Sequence, residues 1–425
     1  MEEIKFITID PGHFHAALVQ KSMYPQVDSV VNIYAPPGPD LALHLYRINK
    51  FNTRPENPTG WKIFVYSAPD FFEKCIEEKK GNVVILSGNN QKKTEYIASA
   101  IDAGFHVYAD KPMAINHSDF EQLEIAFAAA QKNDLLLYDI MTERFEINTI
   151  LQKELSLIPE IFGELQKGSA ENPAVTKESV HHFYKFVAGD VLTRPSWFFD
   201  VTQAGEGIVD VTTHLVDLIQ WECFPGQVID YKDDIEITSA KRWTTNLTAE
   251  QFKSVTKSDS FPKYLKKDLN DVLLKVFCNG QINYKIKDVH ARVSVTWAYK
   301  APEGTGDTHY SIMRGSKANL VIRQGEKEDY KATLYIEPVN GAEIDIKLFS
   351  KIEKLYPGVS LKTQDNGWQV IVPQKYHVGH EAHFAQVTEK FIEYFKNGTM
   401  PDWEIPNMIA KYYITTKALE IALKK

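Results

Sequence analysis

In the first part of the chain, through residue 142, two patterns of hydrophobic and polar residues alternate, one typical of strands and one typical of helices. Short runs rich in β-branched and aromatic residues predict strands at Lys5–Asp10, Ser29–Ala35, Lys62–Ser67, Asn82–Gly88, His106–Asp110 and Leu135–Ile140. Between them, apolar residues spaced three and four apart predict amphipathic helices over Phe71–Lys80, Gln91–Ala103 and Ser118–Asn133. Strands that alternate with helices in this way predict a doubly wound, parallel α/β sheet.

The pattern changes after about residue 150, where longer strands with alternating polarity follow one another. They are predicted at His182–Phe186, Ile235–Thr244, Asp271–Phe277, Val289–Tyr299 and Ala332–Glu337. The end of the chain returns to helical periodicity over His380–Lys396 and Pro406–Leu423. We therefore predict two domains, residues 1–142 and residues 143–425, the second an α+β domain with a large, mainly antiparallel sheet and C-terminal helices.

Composition narrows the class of partner. With 425 residues, 44% hydrophobic and 24% charged, the chain is typical of globular proteins. A formal net charge of −8 opposes nucleic-acid binding, which normally needs a basic face, and no apolar run reaches the ~18 residues of a membrane span. The cysteines Cys75, Cys223 and Cys278 are far apart and in no metal-ligand spacing. We expect no nucleic acid, no membrane, no metal site and a cytoplasmic location, unless a leader peptide has been removed.

The first predicted strand runs into a turn, Asp10-Pro11-Gly12-His13-Phe14-His15. In Rossmann-like domains a G-x-G-x-x-G run at this place lets the backbone approach the dinucleotide pyrophosphate. Only Gly12 occupies one of the three glycine positions here, so a plain strand–turn–helix connection remains an alternative. We predict a Rossmann-like nucleotide-binding domain in which Gly12, His13 and Phe14 bind the cofactor. The second strand lacks a terminal acidic residue, although Asp40 follows, so both NAD and NADP remain possible.

The segment Ala103-Gly104-Phe105-His106-Val107-Tyr108-Ala109-Asp110-Lys111-Pro112 resembles the A-G-x-H-V-x-x-E-K-P segment of the glucose-fructose oxidoreductase / inositol dehydrogenase / MocA family. Asp110 stands where that family carries Glu. Upstream, Asn90 matches the last residue of the family's T-P-N turn, with helix N-capping as the alternative role. The resemblance implies that Asn90, Asp110 and Lys111 contact the cofactor, and that the Lys111–Pro112 peptide bond is cis.

A second block resembles two further family segments, W-x-x-D at Trp197–Asp200 and G-G-G-x-x-x-D-x-x-x-H-x-x-D at Ala204–Asp217. On a helix, Asp210 and His214 would share one face, a spacing that suits a general base and the carboxylate that orients it. A surface ion pair is the alternative. The resemblance implies a helix over Gly207–Cys223 and substrate-binding roles for Trp197, Asp200 and, from another short segment, Arg144.

The family resemblance implies an NAD(P)-dependent oxidoreductase that transfers a hydride between nicotinamide and a sugar or polyol. The second domain would bind this substrate and form a homodimer or a higher homo-oligomer. In this interpretation His214 is the general base, Asp210 orients it and Lys111 polarises the substrate hydroxyl, although Lys111 and His214 could exchange roles. Two alternatives remain: an NAD-dependent glycosidase that works by transient oxidation and elimination, and a non-catalytic sugar- or nucleotide-binding protein.

Overall fold

The computed structural model describes residues 3–187 and 190–424. Its elements through residue 156 are β1 (Phe6–Ile9), α1 (His15–Val19), β2 (Val30–Ala35), α2 (Pro39–Thr53), β3 (Lys62–Ser67), α3 (Phe71–Glu78), β4 (Val83–Leu86), α4 (Lys93–Asp102), β5 (His106–Asp110), α5 (His117–Lys132), β6 (Leu137–Ile140) and α6 (Ile147–Ser156). Those that follow are β7 (Val175–Tyr184), β8 (Phe186–Val187), β9 (Asp190–Val191), α7 (Val201–Ala204), α8 (Thr212–Cys223), β10 (Ile235–Leu247), α9 (Ala249–Thr256), β11 (Leu269–Asn270), β12 (Leu273–Ile286), β13 (Val289–Lys300), β14 (Thr308–Arg314), β15 (Ala318–Arg323), β16 (Thr333–Pro338), α10 (Ser350–Leu355), β17 (Ser360–Gln364), β18 (Gly367–Ile371), α11 (His380–Asn397) and α12 (Glu404–Leu423).

These elements form two compact units. The first comprises Met1–Thr142 together with two later segments, Pro195–Gly205 and His380–Met408. The second comprises Glu143–Arg194, Glu206–Gly379 and Ile409–Lys425. The two segments that join the first unit are separated from it by long stretches of sequence, and hydrophobic periodicity carries no signal of such a long-range association.

The first unit contains a parallel sheet in the order β3-β2-β1-β4-β5-β6. Every residue of β1 and of β4 is buried, as expected for central strands covered by helices on both faces. Because β1 and β4 are neighbours, the direction of winding reverses between them, and ligands of such sheets bind at the carboxyl ends of the strands at this point. The predicted Rossmann-like fold is confirmed.

Helix α11 packs against the far side of this sheet through aromatic residues. The ring of Phe391 stacks on Tyr108 of β5 at a centroid distance of 4.7 Å, and Tyr394 meets Tyr138 of β6 edge-on at 5.5 Å. The Tyr108 hydroxyl also lies 3.2 Å from the Thr388 hydroxyl. Aromatic pairs of this geometry contribute beyond their buried area, which explains why this late helix belongs to the first unit.

The second unit is built on one large sheet in the order β10-β12-β13-β7-β14-β15-β16-β18-β17, with β11 beside β12. Strands β13 and β7 are parallel, and the other neighbouring pairs are antiparallel. Alternate residues of β12 are buried, so one face of the sheet forms the core with α6 and α8. The predicted α+β domain with a mainly antiparallel sheet is confirmed. Among the described residues, no helix combines the length and the apolar character that a bilayer span requires.

Candidate active site

The turn after β1 combines a close approach of two strand ends with an unusual backbone conformation. Gly88 follows β4, and a Cβ at this position would lie 2.0 Å from the Asp10 carbonyl oxygen, so only glycine fits. Asp10 itself has φ of 45°, in the left-handed region that most side chains avoid and Asp tolerates better than most. Asp10 therefore supplies the conformation that the first glycine of a dinucleotide fingerprint normally supplies.

The second glycine position of the turn faces two side chains. A Cβ on Gly12 would lie 3.0 Å from Cζ2 of Trp197 and 3.1 Å from Oδ2 of Asp40. The Trp197 indole N–H donates a 2.7 Å hydrogen bond to the same Asp40 oxygen. The structure thus places Trp197, which the family resemblance assigned to substrate binding, against the predicted cofactor loop. The sequence indicated Asp40 only for the choice between NAD and NADP, and it contained no sign of this contact.

Two carboxyl groups make this turn more acidic than a glycine loop. Burial raises the pKa of Asp10 to about 6, and the negative charge of Asp40 adds to the shift. Burial also raises the pKa of Asp40, against the opposing effects of the Trp197 hydrogen bond and the Arg47 charge. Helix α1, with five residues, has only a small dipole to attract a phosphate. Binding of an anionic dinucleotide would therefore rely on backbone amides and shape more than on positive charge.

Asp110, at the end of β5, gathers two histidines and a serine. Its Oδ2 atom lies 3.0 Å from His15 Nδ1 and 3.4 Å from His13 Nδ1, and it accepts a 2.9 Å hydrogen bond from the Ser87 hydroxyl. The amino group of Lys93 donates to the Asp110 carbonyl oxygen at 2.9 Å. Of these residues, His13 and Asp110 were predicted from the sequence to bind the cofactor, whereas His15, Ser87 and Lys93 were not singled out. The spacing of two histidines at positions i and i+2 was the available signal.

The protonation states in this cluster follow from burial. Burial lowers the pKa of His15 well below its ordinary value, so the imidazole is neutral at pH 7. Burial alone would raise the pKa of Asp110, but His15 and His13 outweigh it and hold this pKa below its usual range. Asp110 is therefore an ionised carboxylate, and its Oδ1 atom is buried with no hydrogen-bond partner among the described residues.

Lys111 directly follows Asp110, and the Lys111–Pro112 peptide bond is cis, as predicted. The Lys111 side chain is partly buried. A 2.6 Å hydrogen bond from the Thr94 hydroxyl to the Met113 carbonyl oxygen ties the following segment to α4. The lysine is thus held at the carboxyl edge of the parallel sheet, where ligands of this fold bind.

Asn90 anchors the segment that contains Trp197. Its backbone N–H donates to the Gln203 carbonyl oxygen at 2.9 Å, and its side-chain amide donates to the Ala204 carbonyl oxygen at 2.7 Å. In the same segment Asp200 caps α7, because its carboxylate accepts hydrogen bonds from the Thr202 amide, the Thr202 hydroxyl and the Gln203 amide. Both carboxylate oxygens of Asp200 thus accept hydrogen bonds within this turn, which stabilise it. The resemblance had implied that Asp200 binds the substrate.

In the second unit, α8 starts later than the family resemblance implied. The helix begins at Thr212, and Asp210 lies in the preceding turn, where its amide donates to the Glu206 carbonyl oxygen at 3.0 Å. Gly207 packs against β12 so closely that a Cβ would lie 1.7 Å from the Cys278 carbonyl oxygen. This contact fixes the turn that carries Asp210, and His214 follows on the first turn of α8.

Arg194 is a charged neighbour of Asp210 that the sequence analysis missed. Its guanidinium donates to the carbonyl oxygens of Phe183 and His182, at 3.0 and 3.1 Å. Burial lowers its pKa to about 10, while the charges of Asp307 and Asp210 act in the opposite direction. Asp210, which precedes His214 by four residues, is therefore also close enough to the buried Arg194 cation to interact with it electrostatically.

Arg144 is engaged in a buried ion-pair network. Its guanidinium forms two 2.7 Å hydrogen bonds to the carboxylate of Asp217, and Lys411 donates to the same carboxylate at 2.9 Å. Burial alone would raise the pKa of Asp217, but the two cations hold it well below its usual range. A bidentate Arg–carboxylate pair of this kind fixes α8 in place. The resemblance implied that Arg144 contacts the substrate, and the structure shows its guanidinium in this ion pair.

Comparisons with known proteins agree with this architecture. The family profile described as "Putative oxidoreductase C terminal domain" matches residues 151–423. A crystal structure of an oxidoreductase, described as putative, from Parabacteroides merdae is 57% identical, with a TM-score of 0.96 over 99% of this chain and 98% of that chain. No curated protein matches the sequence.

More distant structures share the fold. An oxidoreductase domain protein from Kribbella flavida is 17% identical, with a TM-score of 0.65 over 100% of this chain and 98% of that one. Levoglucosan dehydrogenase, solved with NADH and levoglucosan, is 14% identical, with a TM-score of 0.63 over the same shares of the two chains. The profile covers more than half of the chain, and the Parabacteroides protein is a close relative over nearly its whole length. The chain therefore belongs to this oxidoreductase family, and the resemblance to the glucose-fructose oxidoreductase / inositol dehydrogenase / MocA family is confirmed.

Proposed function

We propose that the protein is an NAD(P)-dependent oxidoreductase that moves a hydride between a nicotinamide dinucleotide and a carbinol or carbonyl carbon of a sugar or polyol. The observation that carries the proposal is the turn at the carboxyl ends of β1 and β4, where Gly12 lies against Trp197, together with Lys111 just after β5. Levoglucosan dehydrogenase, which has the same fold, has been solved with NADH and either levoglucosan or L-sorbose. These structures support both the cofactor class and the substrate class.

Two features of the turn support a dinucleotide site. Gly12 presents bare backbone, because a Cβ there would lie only 3.0 Å from Trp197 and 3.1 Å from Asp40, and Oδ1 of Asn90 is a buried acceptor with no hydrogen-bond partner among the described residues. We assign Gly12, His13, Phe14, Asn90, Asp110 and Lys111 to the cofactor site. Asp40 follows β2, where Rossmann-like domains hold the ribose hydroxyls with a carboxylate. The carboxylates of Asp40 and Asp10 would repel a 2′-phosphate, so NAD is the expected cofactor rather than NADP.

The chemistry of this chain is then acid–base catalysis of hydride transfer. When bound, the nicotinamide supplies the hydride acceptor or donor. Oxidation of a hydroxyl requires removal of its proton, and His214 is the assigned base, with Asp210 as the carboxylate that orients and stabilises its imidazolium. Lys111 is the assigned cation that polarises the substrate oxygen. Trp197 and Asp200 shape the loop, and Arg144 acts on α8 through Asp217.

The decisive experiment combines binding and turnover. Calorimetric titration of the purified full-length protein with NAD and with NADP should show saturable binding with preference for NAD. A panel of aldoses, polyols and anhydrosugars, including levoglucosan and L-sorbose, is then screened for NADH formation or consumption. His214→Gln should lower kcat by about 10²–10⁴-fold without changing NAD affinity, the usual effect of losing a general base. His117→Gln, an exposed histidine on α5, is the matched control.

Two outcomes would contradict the proposal. Absence of binding by both NAD and NADP would remove the cofactor, and with it the oxidoreductase function of this chain. Unchanged turnover in His214→Gln would remove the assigned base and leave Lys111 as the candidate, which Lys111→Met would then test.

We further propose that the protein is a cytoplasmic homo-oligomer. Strand β10, of 13 residues, is an edge strand of the large sheet and exposes 37% of Trp243, and long exposed edges favour pairing with another copy. The three cysteines are free, and Cys75 and Cys278 are buried, as expected in a reducing compartment. Light scattering after size-exclusion chromatography measures the oligomeric state, and cell fractionation measures the location. A monomer at micromolar concentration, or recovery outside the cytoplasm, would contradict the respective proposal.

A further inference from the structure

His13, His15 and Asp110 form a compact group of potential metal ligands. One ligand atom from each lies within 4.8 Å of the others. The Asp110 Oδ2 atom is 3.0 Å from His15 Nδ1 and 3.4 Å from His13 Nδ1. Ligands bound at about 2.1 Å to a tetrahedral ion lie about 3.4 Å from each other, so these separations match the geometry around a single ion. The two imidazole rings are also in edge-on contact, with their centroids 4.1 Å apart.

The surroundings of the group have the features of a metal site. Asp110 and His15 are buried, at 2% and 7% exposure, while the His13 side chain is 20% exposed and leaves a path from solvent. The Ser87 hydroxyl donates to the Asp110 carboxylate at 2.9 Å, as residues behind metal ligands commonly do. The buried Oδ1 atom of Asp110 has no hydrogen-bond partner among the described residues and so offers a further donor.

We propose that His13, His15 and Asp110 bind one divalent transition-metal ion of the zinc type at the carboxyl end of the parallel sheet. Two imidazoles and one carboxylate favour zinc, iron or nickel over magnesium or calcium, which prefer all-oxygen sites. Three protein ligands leave at least one coordination position for water or a ligand oxygen, as in catalytic zinc sites. The inference departs from the sequence-based expectation of no metal site, and the group shares His13 and Asp110 with the assigned cofactor site. The inference rests on the geometry of the group alone, so its test is made without nucleotide.

The test uses Zn²⁺ alone. The purified full-length protein is stripped with a chelator, dialysed and titrated with ZnCl₂ by calorimetry in the absence of nucleotide. The expected result is one equivalent bound with a Kd on the order of 1 µM or tighter. Co²⁺ substitution should give the visible absorption of a site with mixed imidazole and carboxylate ligands.

Variants identify the ligands. His13→Ala and Asp110→Asn should each weaken Zn²⁺ binding by at least roughly 100-fold, because a lost ligand costs more than a lost residue behind it. His117→Ala, which removes an exposed histidine on α5, should leave binding unchanged. Circular dichroism checks the fold, and His13→Ala carries the test if Asp110→Asn fails to fold. Absence of saturable binding up to 100-fold above the expected Kd, or binding that His13→Ala leaves unchanged, would overturn the proposal.

Discussion

The buried carboxyl group of Asp10 should make the first unit less stable as the pH rises. Its pKa is raised from 3.8 to about 6, chiefly by burial and further by the charge of Asp40. Between pH 4 and pH 6 the folded state therefore holds a proton that the unfolded state has released. Stability falls as pH rises through this window, because stability rises with pH only where the unfolded state binds more protons.

The magnitude follows from the size of the shift. A difference of about 2.2 pKa units corresponds to about 3 kcal/mol of unfolding free energy at pH 8, at about 1.36 kcal/mol per unit. Asp10→Asn keeps the side-chain size and, like Asp, tolerates the left-handed backbone at φ of 45°. The variant should thus be about 3 kcal/mol more stable than the wild type at pH 8, and of nearly equal stability at pH 4.

Hydrogen exchange measured by mass spectrometry reports this difference for the first unit alone. The slowest amides of β1 and β4, which exchange through unfolding of the sheet, should exchange on the order of 100-fold more slowly in Asp10→Asn at pH 8. Asp102→Asn, at the exposed end of α4, controls for the loss of one carboxylate. Equal rates for the variant and the wild type at pH 8 would refute the reasoning. A gain of the same size at pH 4 would show that packing, and not charge, is responsible.

Two further predictions concern buried polar groups. Asp217→Ala should destabilise the protein by about 3–5 kcal/mol, because it leaves Arg144 and Lys411 buried without their shared carboxylate. The control Asp233→Ala, at an exposed site, should change stability little, and chemical denaturation compares the two variants. His44 is fully buried, both ring nitrogens have no hydrogen-bond partner among the described residues, and burial followed by the Arg47 charge lowers its pKa to about 3. The protein should therefore lose stability as the pH falls below 6.5. His44→Leu should recover roughly 2 kcal/mol of unfolding free energy at pH 5, as measured by urea unfolding at pH 5 and pH 8. An equal gain at both pH values would contradict the titration argument.

Sequence periodicity predicted the parallel sheet well because its strands are short runs rich in β-branched and aromatic residues, and β1, β4 and β6 are wholly buried. The predicted strands match β1–β6 to within a few residues. Helix α2 was missed, since it buries only Leu41, His44 and Ile48 and its other positions mix polar and apolar residues without a clear apolar face. Strands β14 and β15 were also missed, because their half-buried patterns are too irregular for a period of two.

The candidate site was predictable in part. The motifs drew attention to Asp110 and Lys111 at the end of β5 and to Asp210 and His214 around the start of α8, because strand ends and helix starts are local features. The hydrogen bond from Trp197 to Asp40 joins residues 157 positions apart, and the pairing of Arg144 with Asp217 spans 73. Periodicity and local motifs carry no information on contacts over such distances in sequence, so these partners of Trp197 and Arg144 could be found only from the fold.

The turn after β1 separates two properties that a glycine fingerprint combines. Glycines there allow a left-handed backbone and a close approach, and they add no charge. In this chain Asp10 adopts the left-handed backbone and Gly88 permits the close approach, so the shape of the turn is kept without the sequence pattern. The charge is not kept, because Asp10 and Asp40 bring carboxyl groups to the place where a pyrophosphate would bind. The missing glycine motif is therefore only weak evidence against dinucleotide binding, because the shape of the turn is kept. What opposes binding is the negative charge of Asp10 and Asp40. Neutralising Asp10 should therefore raise both the stability of the protein and its affinity for an anionic ligand.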